Sequence, residues 1–240
     1  MAVVKAGVFS VTKVITYVFG IDFLAGQPSA EWLTPLACFT ILGASAVALA
    51  QTNLKRMLAY STISQLSYIV MAAAVLKPLS EIGAAIHMVS HPFGKITLFF
   101  AAGAIYVASK KTELHQLHGI GRRMPWTMAA FTIGALSMIG VPPTAGFVSK
   151  WYILGGSLQQ GNLLAVFTLV GSTILNAAYF LPIIYRAWWR EESVPPVRNH
   201  GEAPWPMVLA LTATALLTLA FFLYNQPVIN LESQLVGRMK

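Results

Sequence analysis

IGAAIHMVSHPFGKITLFFAAGAIYVA, residues 82–108, is the stretch that decides how this chain is read. A run this long and apolar is enough to cross a bilayer, which takes about 20 residues of helix. Three ionisable side chains stand inside it, His87, His91 and Lys95, spaced four apart, so they share one helix face. Charge in hydrocarbon is expensive, and ionisable groups found there mark ion pathways and proton relays. Neighbours at i and i+4 are about 6 Å apart along the axis, a gap that water can bridge. Imidazole, in turn, titrates nearest to working pH. The competing reading is a pair of hydrogen-bonded packing histidines. Zinc is weaker still, because His at i and i+4 can bind it but no Glu, Asp or Cys shares that face. Pro92, in the same run, frees a carbonyl one turn earlier, within reach of water or of Lys95.

The rest of the chain has the same character. Of its residues 56% are hydrophobic and only 10% charged, against about 25% charged in soluble domains. Apolar runs near 3–20, 32–50, 57–76, 82–108, 124–159, 163–185 and 205–225 predict an all-α membrane protein of about seven crossings. The net charge of +8 is not gathered into a nucleic-acid patch. It marks loop ends instead, and no nucleic-acid partner is expected. Placing the N-terminus in the cytoplasm puts Lys55, Arg56, Lys110, Lys111, Arg122, Arg123, Arg186, Arg190 and Arg198 inside and Lys77, Arg238 and Lys240 outside. The opening segment carries Lys5 and Lys13 and has no small-residue cleavage site, so it reads as a mature helix rather than a signal peptide. Cys38, the lone cysteine, lies in a span and reads as filler.

Short connections at 51–56 and 77–81 make the first four spans up-down hairpins. Longer loops follow at 110–123 and 190–204. The expected organisation is a bundle over 1–189, a cytoplasmic linker with Pro195 and Pro196 over 190–204, and a last span with a short tail over 205–240. The stretch 124–159 is too long for one straight crossing and too short for two with a turn. Its centre, GVPPTAG (140–146), holds Gly140, Pro142, Pro143 and Gly146, which remove backbone donors and loosen the chain. A discontinuous helix is expected there, because unwound backbone at membrane depth survives only against protein or water. Such breaks are where transporters handle ions; an ordinary proline kink is the alternative. Lys150 follows in the opening turns of the second half-helix. Burial and the positive end of that half-helix both disfavour its ammonium form, which marks it as a group able to load and release a proton. A lysine snorkelling at a membrane edge would look similar. Lys5 and Lys13 could face a common interior. Ser61, Thr62, Ser64, Gln65, Ser67 and Tyr68 give the third span a polar face that lines a channel or glues helices together. There is no phosphate-binding glycine loop, no set of cluster-ligating cysteines and no paired intramembrane carboxylate, so no cofactor, metal or catalytic site is expected.

Three segments, NLKRMLAYSTISQLSY (53–68), IHMVSHPFGKITLFFAAGAI (86–105) and IGVPPTAGFVSKW (139–151), together resemble the proton-translocating, antiporter-like membrane subunits shared by respiratory complex I and the Mrp-type multisubunit Na+/H+ antiporters. The resemblance covers nearly the whole chain. It implies a fold of two inverted repeats, each with a broken helix, of which this chain corresponds to the second. KAGVF (5–9) resembles the start of the helix that carries the family's central linking lysine, which gives that role to Lys5. His87, His91 and Lys95 match the histidines and lysine of the second half-channel, and Lys150 its terminal lysine or glutamate. Pro92 departs from the family pattern, where a small or apolar residue is usual. No long lateral helix follows the last span, which favours the D-type Mrp component or the mid-arm subunits of complex I.

The expected function is movement of protons, or their exchange for Na+, along buried Lys and His residues in a multisubunit bacterial inner-membrane complex. Other membrane subunits, and a separate polypeptide supplying the first half, are the expected partners. Such a complex could be an NADH:quinone oxidoreductase, although this chain holds no redox site. Two other readings are a non-conducting structural half-subunit and a retinal-type photoreceptor. The second needs a carboxylate counter-ion beside the lysine, yet every acidic residue lies at a span edge or in a loop.

Overall fold

Each apolar run becomes a helix because a backbone in hydrocarbon must satisfy its own hydrogen bonds. The computed structural model describes residues 2–20, 23–24, 26–27, 31–192 and 201–237, and no strand occurs among them. Helix α1, Ala2–Lys13, passes into a π-helical stretch, Val14–Phe19. There follow α2, Leu33–Leu49, α3, Leu54–Ala74, and α4, Pro78–Ser109. A short α5, Ile120–Arg123, precedes α6, Pro125–Ile139, and α7, Ala145–Gln160. Then come α8, Leu163–Trp189, α9, Trp205–Leu223, and a tail helix α10, Gln226–Gly237. Helices α3, α4, α8 and α9 are long and apolar enough to cross a membrane, while α2 and α6 are shorter apolar helices. Outward faces carry bare hydrophobic side chains such as Phe39 and Phe167, as lipid contact requires. This is an all-helical integral membrane protein.

The ends of these helices follow local chemistry. Asn53 caps α3 by accepting from the backbone N–H groups of Lys55 and Arg56 at 3.1 and 3.2 Å. Proline begins α4 and α6, where its missing N–H costs nothing. The turn expected at 77–81 is shorter than the sequence suggests: α4 starts at Pro78 and includes Glu81 in its first turn. The break is as expected. Helix α6 stops at Ile139, Gly140 takes the left-handed conformation, and helix resumes at Ala145 beyond a cis Pro142–Pro143 bond.

Helix α4 is the centre of the bundle, packed on α3, α6, α7, α9 and α10. With 32 residues it runs about 48 Å, longer than a hydrocarbon core of about 30 Å, so its ends reach the polar interfaces. The basic loops meet at one end of the bundle. There Glu192 bridges Lys111 and Arg123, each at 2.8 Å, Asn53 donates to Glu113 at 3.0 Å, and Gly119 N–H donates to the Arg186 carbonyl at 3.0 Å. Burial alone would raise the Glu192 carboxyl, but hydrogen bonding to Lys111 and the charges of Lys111 and Arg123 hold it below its ordinary value. Glu202 caps α6 from a distance, accepting from Trp126 N–H at 2.6 Å and from the Thr127 hydroxyl at 2.7 Å. Pro195, Pro196 and Arg198 of the expected linker, and Arg238 and Lys240 of the tail, lie outside the described residues.

Candidate functional site

The break between α6 and α7 builds the first part of the site. A helix that stops in the membrane leaves its last carbonyls without intrahelical partners, and here those carbonyls turn inward. Lys150 reaches back from α7 and donates to the carbonyls of Met138 at 3.1 Å and Ile139 at 2.8 Å, and to the Thr173 hydroxyl of α8 at 3.2 Å. Gln65 from α3 and Asn176 from α8 donate to the same Met138 carbonyl at 3.2 and 3.4 Å. Lys150 is only 6% exposed, and its Nζ lies 5.1 Å from the centre of the Tyr68 ring, a favourable cation–π distance. From sequence, this ammonium is expected against the positive end of α7. The fold corrects that: the side chain bends back, and Lys150 faces the negative, carbonyl end of α6.

Two glycines make the arrangement fit. A Cβ on Gly140 would sit 2.8 Å from Lys150 Cδ, and one on Gly146 only 1.8 Å from the Ser137 carbonyl oxygen. Side chains at either position would displace the lysine or part the two half-helices.

The second part is the α4 face. His87, His91 and Lys95 are each at most 1% exposed. His87 Nδ1 shares a hydrogen bond of 2.9 Å with the Ser149 hydroxyl, which belongs to the residue before Lys150. The His87 and His91 rings are 5.5 Å apart, and the Tyr68 ring is 5.7 Å from His87. At the far end Lys95 donates to Ser61 and, at 3.2 Å, to the Leu58 carbonyl of α3, with the Phe180 ring 5.9 Å away. Lys95 therefore bonds across to α3 and not to the carbonyl that Pro92 frees on its own helix. The order in space is Lys95, His91, His87, Ser149 and Lys150. His87, rather than Lys95, bonds the broken helix, through Ser149.

Helix α3 supplies only part of its polar run. Ser61, Ser64, Gln65 and Tyr68 are buried inside, with Ser64 bonded to Ser45 at 2.7 Å and Tyr68 bonded to Ser172. Thr62 and Ser67 turn away and bond the carbonyls of Leu58 and Ile63 on their own helix. Sequence reasoning missed α8, whose Ser172, Asn176 and Tyr179 form a buried stripe in which Tyr179 bonds Asn176. Their i, i+4, i+7 spacing in an apolar helix is the signal that could have found them. Several interior atoms have no protein partner: Gln65 Oε1, His87 Nε2, Ser90 Oγ, both His91 nitrogens and Ser137 Oγ.

The α1 lysines separate. Lys5 Nζ is buried without a partner, whereas Lys13 is exposed with its ammonium 6.0 Å from the Phe9 ring. Cys38 is buried and donates to the Met71 sulfur at 3.7 Å. Among the described residues no three His, Cys, Asp or Glu side chains converge as metal ligands would.

Comparison with known proteins shows the family of the chain. Residues 1–176 match the family described as "NADH:quinone oxidoreductase/Mrp antiporter, TM". NADH-quinone oxidoreductase subunit N of Desulforudis audaxviator is 38% identical over 215 residues, which is 85% of this chain and 43% of that protein. The D-type Na(+)/H(+) antiporter subunit of Bacillus subtilis is 30% identical over 200 residues, 83% of this chain and 40% of that one. The chain thus spans less than half the length of these relatives. Among solved structures, the Mrp complex from Dietzia sp. DQ12-45-1b contains a chain with a TM-score of 0.87 at 20% identity, covering 98% of this chain and 51% of that chain. At that identity the likeness is one of fold.

Proposed function

From the membership of this chain in the NADH:quinone oxidoreductase/Mrp antiporter transmembrane family, we propose that it moves protons through its interior as a membrane subunit of a complex I-like or Mrp-type assembly. The observation that carries the reading is the buried series Lys95, His91, His87, Ser149, Lys150, with unpartnered polar atoms beside it on α3, α4 and α6. Buried polar atoms without protein partners are what a file of water bonds to. Lys150 fits the end of such a file. Its ammonium donates to two carbonyls and a hydroxyl, and after losing a proton the amine keeps donors for two of them. Ser149 bonds the His87 ring on one side of it. In this reading Lys5, whose Nζ is buried without a partner on α1, feeds the series.

Electrostatics couples the groups of the series to one another. Among the described residues no carboxylate forms an ion pair with it, and two unit charges at the 5.5 Å spacing of the histidine rings repel by about 3 kcal/mol at an effective dielectric near 20. Carrying a charge through about 150 mV costs about 3.5 kcal/mol. A single push is too small, so release against the potential takes at least two coupled steps, which is a reason for several titrating groups in line. In this reading the basic end of the bundle faces the cytoplasm of a bacterial inner membrane, protons cross alone or in exchange for Na+, and a separate polypeptide supplies the first half of the fold.

The test is proton flux in vesicles that contain the complete assembly. Lys150→Met should abolish flux with assembly intact, and Lys5→Ala should impair it although Lys5 shares no hydrogen bond with Lys150. Wild-type flux in both variants would overturn the proposal.

A further inference from the structure

By sequence every acidic residue falls at a span edge or in a loop, yet Glu81 is 3% exposed and both of its carboxylate oxygens lack a partner. It lines a cavity of about 450 Å³ together with Thr12 and Lys13 of α1, Tyr17 of the π-helical stretch, Met88 of α4 and Glu232 of α10. This is the amphipathic tail helix at work: α10 lies against α4 and brings a second carboxylate over the opening. The cavity continues the proposed series. On α1, Lys5 stands one turn before Phe9, which also lines the cavity. On α4, Met88 stands three residues before His91. Phe9 and Met88 thus line the cavity one helical turn from the buried Lys5 amine on α1 and from His91 on α4.

We propose that Glu81 is a proton-holding carboxyl at the outlet of this series, in a chamber that α10 covers and Glu232 shares. The proposal rests on the proton-translocating reading and gives it an exit on the face opposite the basic loops. A desolvated carboxyl with no protein donor takes its positive charge from what arrives in the chamber. The titrating and charged groups facing it are Lys13 from α1, Tyr17 from the π-helical stretch and Glu232 from α10. Lys13 also faces the chamber, where its charge opposes a metal cation and a proton alike, whereas the cost of an unpartnered ionised carboxyl away from water favours proton uptake. Transfer is simple in its balance: an incoming proton forms an O–H bond on Glu81, and the same bond breaks when the proton passes to water under α10.

The experiment reads the carboxyl directly. Infrared difference spectra of the complete assembly between acid and alkaline buffer should show a protonated-carboxyl C=O band that is absent from Glu81→Gln and survives in Glu232→Gln. The band should be the same in sodium and potassium buffers. In vesicles Glu81→Gln should slow proton release by about a hundredfold, the scale of a lost proton-transfer group, and Glu81→Asp should restore most of it. A band unchanged by Glu81→Gln would overturn the proposal. So would a band that disappears on adding Na+ at constant pH, which would make the chamber a cation site. Because the band is read without transport, its presence in an assembly that moves no protons supports the chamber while counting against the translocating reading.

Discussion

Gly140→Ala tests the site without touching an ionisable group. A Cβ there would lie 2.8 Å from Lys150 Cδ, 3.4 Å from Cε and 3.5 Å from Nζ, on a residue whose φ is +88°. Carbon atoms in good contact stay about 3.5–4.0 Å apart, so the lysine stem must retreat by roughly 1 Å. The Nζ to Ile139 carbonyl distance of 2.8 Å would then exceed about 3.5 Å, past hydrogen-bonding range. A left-handed L-residue costs about 1–2 kcal/mol and overpacking about 1–3 kcal/mol. Losing a hydrogen bond to a charged group forfeits about 1.5–3 kcal/mol. Since about 1.4 kcal/mol is tenfold in rate, proton flux in vesicles carrying the assembled complex should fall at least about tenfold. Gly103→Ala is the control, because the nearest atom to its added methyl is Met207 Cε at 4.0 Å. Wild-type flux in Gly140→Ala with normal assembly would refute the reasoning. An equal loss in Gly103→Ala would show that any added methyl harms the bundle.

Ser149→Ala removes the partner of His87 Nδ1 and should slow flux while costing about 1–3 kcal/mol of stability for the buried nitrogen left unpaired; thermal unfolding of the purified protein measures the second effect. Ser61→Ala takes one acceptor from Lys95 and leaves the Leu58 carbonyl, so it should reduce flux less than Lys95→Met does, and equal losses would refute the ranking. The Glu192 clasp has a defined pH sign. Its folded carboxyl is held below the ordinary value, so its contribution is present above the unfolded carboxylate range, about pH 4.3, and is lost as pH falls through the folded value. Hydrogen-exchange protection factors in residues 110–123 should therefore fall on acidification, and Glu192→Gln should lower them at neutral pH and flatten that dependence.

What the chain declares in one dimension is whatever depends on neighbours in sequence. The all-helical membrane class follows from apolar runs, the shared face of His87, His91 and Lys95 from a spacing of four, and the interrupted span from GVPPTAG. Each is a local consequence of helix geometry and of backbone hydrogen bonding in hydrocarbon. Partners are not local. Lys150 finds the carbonyls of Met138 and Ile139, twelve and eleven residues earlier, because the break folds α7 back beside α6. Lys95 reaches α3 and not its own helix, Thr62 and Ser67 turn out of the interior, and the α8 stripe joins the site from a stretch that reads as plain apolar helix. Glu81 looks like an edge residue until α10 covers it. In a medium that offers polar groups no water, each must find a partner in the protein or a wet cavity. The chain order says which groups have that need, and only the packing of helices decides what meets it.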